Sequence, residues 1–200
     1  MIIHQKLALP ATHGVFAFLN PDIFAFAQAT AFSDLRKDHK LTASELSFRI
    51  VDIHGVRLYL VVFPQLKTPG VVGTWQNPGT GISSRLAEYL LPHVDSLEEV
   101  PLDIAGDGDV SVEKLPPPTW LPETEAHGKL RENIAELMNR ARLEPEKAPI
   151  KPDDVSLYPT GMGAIYRTHL AIQRLKKGSA LPIGSIFYST WLLFAEAPSG

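Results

Sequence analysis

Between Val155 and Tyr188 the chain sets out a short apolar run, a glycine turn, a helix with two apolar sides and a second apolar run. That order constrains the fold more than any other feature of the sequence. Val155-Ser156-Leu157-Tyr158 reads as a buried strand, and Pro159-Thr160-Gly161 breaks it. The helix predicted over Met162–Lys177 carries Met162, Ile165, Tyr166 and Ile172 on one side and Ala164, Ala171 and Leu175 on another. A helix held between a sheet and a second layer has this pattern. Lys176-Lys177-Gly178 closes it with cations at the negative end of the helix dipole and a glycine stop. Pro182–Tyr188 reads as a second strand, and strand–helix–strand implies an α/β fold.

Upstream, the clearest local structure is a hairpin. Leu46, Phe48 and Ile50 alternate with Ser47, Arg49 and Val51, and Val56–Phe63 is rich in β-branched and aromatic residues. His54-Gly55 between them fits a two-residue turn. Asn20–Lys37 reads as a helix capped by Asp22 or Asn20, and 64–81 reads as loop, with Pro69-Gly70, Asn77-Pro78-Gly79 and Gly81 as turn signals. Ser83-Ser84 caps a helix with Leu86, Ala87, Leu90 and Leu91 on its apolar face. The stretch 92–122 is acidic and proline-rich and reads as irregular. Leu130, Ile134, Leu137 and Ala141 then recur at helical spacing, and 144–152 is an extended connector. The expected organisation begins with an α+β segment carrying a β-hairpin over 1–70.

Composition excludes several chemistries. With no cysteine among 200 residues there is no disulfide framework, thiolate metal site or cysteine nucleophile. A net charge of −3 gives no electrostatic case for nucleic acid or an anionic membrane surface. None of the seven histidines makes an HxxxH or HExxH spacing, so no metal site is expected. Asp103, Asp107 and Asp109 lie among glycines without the closing glutamate of a calcium loop and read as a solvated acidic loop. The apolar stretch Leu7–Phe32 is broken by Pro10, His13, Asn20, Pro21 and Asp22 and lacks a basic leader, while Ile186–Ala195 is too short to span a bilayer. The expectation is a cytoplasmic protein without a membrane anchor.

Two segments have the chemistry of an anion site. In Tyr158-Pro159-Thr160-Gly161-Met162-Gly163 a glycine-containing turn opens a helix, leaving backbone N–H groups unpaired where the helix dipole is positive. Thr160 adds a hydroxyl donor. The alternative is a plain helix start with Thr160 as N-cap. In Asn77-Pro78-Gly79-Thr80-Gly81-Ile82-Ser83-Ser84-Arg85 a glycine turn, hydroxyls and an arginine meet at a second helix start, the alternative being a tight loop with a surface arginine.

Gly79-Thr80-Gly81-Ile82-Ser83-Ser84-Arg85-Leu86-Ala87-Glu88, followed in order by Leu157-Tyr158-Pro159-Thr160-Gly161-Met162-Gly163-Ala164-Ile165-Tyr166, resembles the fungal cystathionine γ-synthase-like branch of the Cys/Met-metabolism enzymes that depend on pyridoxal 5′-phosphate. The resemblance covers roughly 56–190. It implies that 71–200 is an incomplete large domain, the N-terminal part of a fold type I, aminotransferase-like α/β architecture with a mostly parallel sheet. It further implies pyridoxal 5′-phosphate as cofactor, a homo-oligomer whose active sites form at subunit interfaces, and transsulfuration by γ-replacement on an activated homoserine ester by cysteine.

By the same resemblance Thr160, Gly161 and Met162 are the triplet that grips the cofactor phosphate, and Arg85 is the arginine that reaches the phosphate of the neighbouring subunit. Tyr188 matches the aromatic that stacks on the cofactor ring. Where the wider family has a tyrosine two residues before the arginine, this chain has Ser83. The family's Schiff-base lysine lies well downstream of the triplet, whereas only Lys176 and Lys177 follow Met162 here, and no aspartate follows Asp154. The expectation is therefore a partial chain, inactive alone. The alternative is a non-catalytic interaction or regulatory module, or a truncated gene product, docking on a full-length homologue.

Overall fold

Val56–Pro64 is apolar at seven of nine positions, and a strand of that composition must be covered on both faces. A computed structural model, which describes residues 2–102, 110–119, 121–140, 142–176, 178 and 183–197, shows how. In chain order the regular elements are α1 (Ile2–Lys6), β1 (His13–Phe18), α2 (Ile23–Ala31), β2 (Ser47–Ile53), β3 (Val56–Pro64), α3 (Thr68–Gln76), α4 (Ser84–Leu90), β4 (Glu98–Val100), α5 (Glu125–Arg140), α6 (Gly161–Leu175) and α7 (Tyr188–Glu196). Short 3₁₀ turns join several of them. The chain divides into two compact units, one of residues 1–119 and 160–200, the other of residues 120–159. The boundary expected after residue 70 falls within α3.

In the larger unit the strands form a four-stranded sheet ordered β1-β3-β2-β4. The β2–β3 hairpin closes with Ile53 opposite Val56, and His54 and Gly55 both have positive φ (49° and 78°). The twist of such a turn matches that of the strands it joins. Alternation along β3 then divides the core. Tyr59, Val61 and Phe63 join Phe24 and Phe26 of α2, Val71 of α3, Tyr166 of α6 and Leu193 of α7. Leu58, Leu60 and Val62 pack on the other face with Leu7 and Leu90. Burial pushes the Tyr59 phenol up to about 12, and its hydroxyl donates to the Pro116 carbonyl at 2.5 Å, fastening the proline-rich segment. Asp52 holds Arg57 through both carboxylate oxygens at 2.8 and 2.9 Å, and Arg57 in turn donates to the Pro117 carbonyl.

Several expectations are corrected. All three strand pairings are antiparallel, so the sheet is not the mostly parallel one that the resemblance implies, although helices and sheet together keep the α/β description. Val155–Tyr158 is not a strand: the Val155 carbonyl accepts from Arg131 Nε of α5 at 3.0 Å, not from a ladder partner. The described part of Pro182–Tyr188, residues 183–188, holds no strand, and the apolar run that follows becomes α7. A short apolar run has no period that separates buried strand from buried helix. The region read as loop over 64–81 contains α3, whose small residues Gly70 and Gly73 are buried. Lys177 and the Asp103, Asp107 and Asp109 loop lie outside the described residues.

α6 is tied to the N-terminal part by a partly buried ion pair and α7 by a buried one. Arg167 of α6 pairs with Asp22, the residue before α2, at 3.1 Å. Glu196, at the end of α7, is fully buried and pairs with Arg36, while the Thr30 hydroxyl of α2 donates to the same oxygen at 3.4 Å. Tyr166 meets Phe26 edge-on, and burial pushes its phenol well above the usual range.

In the smaller unit α5 is anchored by Arg131, which donates to both carboxylate oxygens of Glu123, and by Asn139, whose side chain exchanges two bonds with the Ile150 backbone at 2.8 and 2.9 Å. No helix among the described residues is long and apolar enough to cross a membrane. The Ser83 hydroxyl caps α4 by accepting from Leu86 N at 3.2 Å. Ser83→Ala is expected to lower stability by about 1 kcal/mol, read from the urea midpoint at constant slope.

Candidate functional site

Thr160 has the extended backbone of an N-cap (φ −142°, ψ 156°) and opens α6. Its hydroxyl oxygen accepts from Gly163 N at 2.9 Å, and its proton is donated to the Gly79 carbonyl, also at 2.9 Å. The two glycine-rich segments, 81 residues apart, thus form a single site. Gly79 has φ +57°, and a Cβ there would lie 2.4 Å from Thr160 Oγ1 and 3.0 Å from Met162 Cβ. Glycine is required both by the backbone angle and by the closeness of the helix start. The loop is fixed at its other end to the sheet edge: Gly81 bridges Phe18, and Ile82 N donates to Ala17 O at 3.1 Å.

This arrangement changes the role of Thr160. Its proton is committed to Gly79, so an anion here would be held by backbone amides. The Thr160 side chain caps the third residue of α6, leaving the first-turn N–H groups of Gly161 and Met162 without an intrahelical partner at the positive end of the dipole. Around Gly161 a Cβ would meet nothing within 4 Å, so that side is open. Thr80, between the two loop glycines, has a buried hydroxyl with no hydrogen-bond partner among the described residues.

The other candidates are placed less directly. The Met162 sulfur accepts from the Thr190 hydroxyl of α7 at 3.6 Å, which brings the helix carrying Tyr188 to the site. Tyr188 itself is exposed and stacks on Trp191 of its own helix, with ring centroids 6.0 Å apart. Arg85 is exposed on the first turn of α4, just past the loop, and forms no ion pair among the described residues. Lys176 lies beyond the far end of α6, about 20 Å along the helix from its first residue. Among the described residues no cluster of three or more His, Cys, Asp or Glu could hold a metal ion. The sequence identified both glycine segments but not that they meet, and it gave no sign of Thr190.

With that geometry in place, two curated proteins are similar to this chain. An alanine racemase of Aspergillus violaceofuscus is 30% identical over 142 residues, 66% of this chain and 23% of its own. A cystathionine gamma-synthase-like enzyme of Amanita muscaria is 29% identical over 153 residues, 60% of this chain and 25% of its own. The chain spans about a quarter of the length of these relatives. No family model matches it, and no solved structure does.

The first-turn lock makes a direct prediction. Thr160→Ala removes both the cap and the bond to Gly79 and is expected to cost about 1–2 kcal/mol, read from equilibrium denaturation. Thr160→Ser keeps the hydroxyl and is expected to retain most of that stability.

Proposed function

We propose that this chain is part of a pyridoxal-phosphate-dependent enzyme and that the start of α6 holds the cofactor phosphate. The observation that carries this reading is the lock of Thr160 onto Gly79, which leaves the Gly161 and Met162 amides at an open, dipole-positive helix start. Similarity to a cystathionine gamma-synthase-like enzyme and an alanine racemase supports the same cofactor class. The finer reading is transsulfuration of the cystathionine γ-synthase type, with cysteine replacing the activated oxygen of a homoserine ester. Bound cofactor would supply the electron sink for that chemistry. The described residues fit its phosphate end with two amides and a hydroxyl that positions them, and Arg85, exposed on α4, would serve the phosphate of a neighbouring subunit. They do not fit its covalent attachment, because no described lysine lies at the start of α6. The chain alone is therefore expected to bind the phosphate without catalysing turnover.

The test uses Gly161→Pro. Proline is accepted at the first position of a helix, after an extended residue such as Thr160, so the variant deletes one amide donor and keeps the fold. Binding of pyridoxal 5′-phosphate, measured by equilibrium dialysis and phosphorus NMR, is expected to weaken about tenfold. Pyridoxal lacking the phosphate should bind poorly to both forms. Equal binding of the phosphorylated and unphosphorylated compounds would overturn the reading. Borohydride treatment is expected to fix no pyridoxyl group on an identified lysine.

A second reading, a non-catalytic module docking on a full-length homologue or a second copy, is favoured by apolar side chains that α6, α7 and the segment before it leave exposed, notably Leu175, Ile183 and Phe187. Co-purification with a full-length homologue would support it, and a monodisperse monomer that binds no homologue would count against it.

A further inference from the structure

We infer that α5 is a self-association surface, pairing antiparallel with α5 of a second copy of the chain. The smaller unit, residues 120–159, is at the lower size limit for folding alone. Units below roughly 40 residues usually need a disulfide, a metal or oligomerisation. The chain has no cysteine, and no described cluster could hold a metal ion, which leaves oligomerisation. The long helix of this unit is covered on one side. Ala135 is fully buried, and Arg131 and Asn139 beside it fasten α5 to the connector that follows. On the other side Leu130 and Leu137 are 51% and 59% exposed, although their spacing marks them as core positions. Ala126, Leu130, Asn133 and Leu137 follow one another at intervals of 4, 3 and 4 residues, the seam of a two-stranded coiled coil.

Charge selects the occupant. Glu125, Lys129, Glu136 and Arg140 run along the seam, all exposed. Glu125 and Arg140 are equally far from a point between residues 132 and 133, and so are Lys129 and Glu136, with opposite signs in each pair. A two-fold axis through that point sets Lys129 beside Glu136 of the second copy and Glu125 towards its Arg140, and the reverse on the other side. The same rotation lays Leu137 over the small Ala126 and Leu130 beside Asn133. It also brings the two Asn133 amides near the axis, where a polar side chain fixes register. A parallel pair gives these charges no opposite partner. Within its own helix Lys129 already pairs with Glu125, and Arg140 with Glu136. The ion pairs between copies therefore set orientation, while the leucines supply the attraction. The helix is about 24 Å long, so the dimer is a weak one. This surface uses neither α6 nor α7 and does not depend on the cofactor reading.

Sedimentation velocity of the whole chain at low salt, over a wide concentration range, tests this. A monomer–dimer equilibrium is expected. Lys129→Glu and Glu136→Lys each set like charges together across the axis and should weaken dimerisation about tenfold. An equimolar mixture of the two variants should recover it, because every charge then meets its opposite. The double variant keeps the parent's net charge and should dimerise like the parent. Leu137→Gln removes apolar contact and should also weaken the dimer about tenfold. Far-UV circular dichroism checks that α5 stays helical; if a charge variant loses helix, Leu137→Gln carries the comparison. A monomer at every concentration would overturn the proposal, as would a dimer unchanged in the folded α5 variants. So would charge variants that recover neither in the mixture nor in the double variant. Association removed by Phe187→Asp and not by the α5 variants would overturn it too, by giving the contact to the apolar residues before α7.

Discussion

Replacing Arg36 by methionine is expected to cost about 3–5 kcal/mol at neutral pH, because it leaves a buried carboxylate without its counter-charge. Glu196 is fully buried at the end of α7 and is held by Arg36 and Thr30. Burial holds its carboxyl above the usual carboxylate range, against the opposing pull of the Arg36 guanidinium. A carboxyl raised in the folded state favours folding most below its unfolded value, near 4.5, and that advantage is lost as pH rises through the folded value. Removing Arg36 raises the folded value further. The variant should therefore be most destabilised at and above neutral pH, relative to the parent, and recover as pH falls towards 4.5. Arg36→Met combined with Glu196→Gln should recover much of the loss at neutral pH, since no buried charge remains. Guanidinium melts of the parent and both variants from pH 4.5 to 8 would measure this; a pH-independent deficit would show that Arg36 acts through packing alone. His169 contributes in the opposite sense. Burial against Phe194 pushes its imidazole below the usual range, so its contribution is full above the unfolded value near 6.5 and is lost as pH falls from there through the lower folded value. Comparing variants with the parent cancels that shared background.

Gly79→Ala is the second large effect, expected at about 2–5 kcal/mol. The left-handed backbone costs a non-glycine residue about 1–2 kcal/mol, and forcing a methyl against Thr160 and Met162 adds about 1–3 kcal/mol. A double-mutant cycle separates the two terms. In a Thr160→Ala background the hydroxyl 2.4 Å from the new methyl is gone, so the penalty should shrink while the backbone term stays. Additive effects would refute the lock. The same cycle bears on phosphate binding, because Gly79→Ala displaces the loop from the start of α6 without removing an amide donor.

Local structure was legible wherever the signal was short-range. The hairpin turn at His54-Gly55, the cap of α4 at Ser83 and the start of α6 at Thr160 follow from residues within four positions of each other. The region of α3 was unreadable for a related reason. Pro69, Gly70 and Gly73 argue for a loop by propensity, and they are accommodated in a helix because its neighbours approach too closely for larger side chains: a Cβ on Gly70 would lie 2.1 Å from the His39 carbonyl oxygen. The two strands expected around α6 failed because their apolar runs carry no period that favours strand over helix or coil. β4 was missed because three residues, Glu98-Glu99-Val100, have no strand signature until they lie beside β2.

The amino-acid sequence by itself determined the two glycine segments, the helix that opens after Thr160 and the absence of thiol chemistry, because each depends only on residue type and near neighbours. Tertiary structure alone decided that Gly79 meets Thr160, that Glu196 is buried against Arg36, and that β1 and β4 flank the β2–β3 hairpin with an aliphatic cavity on one face of the sheet. Those contacts join residues 81 and 160 positions apart or strands whose pairing leaves no local mark, and only the packing of the whole unit selects them.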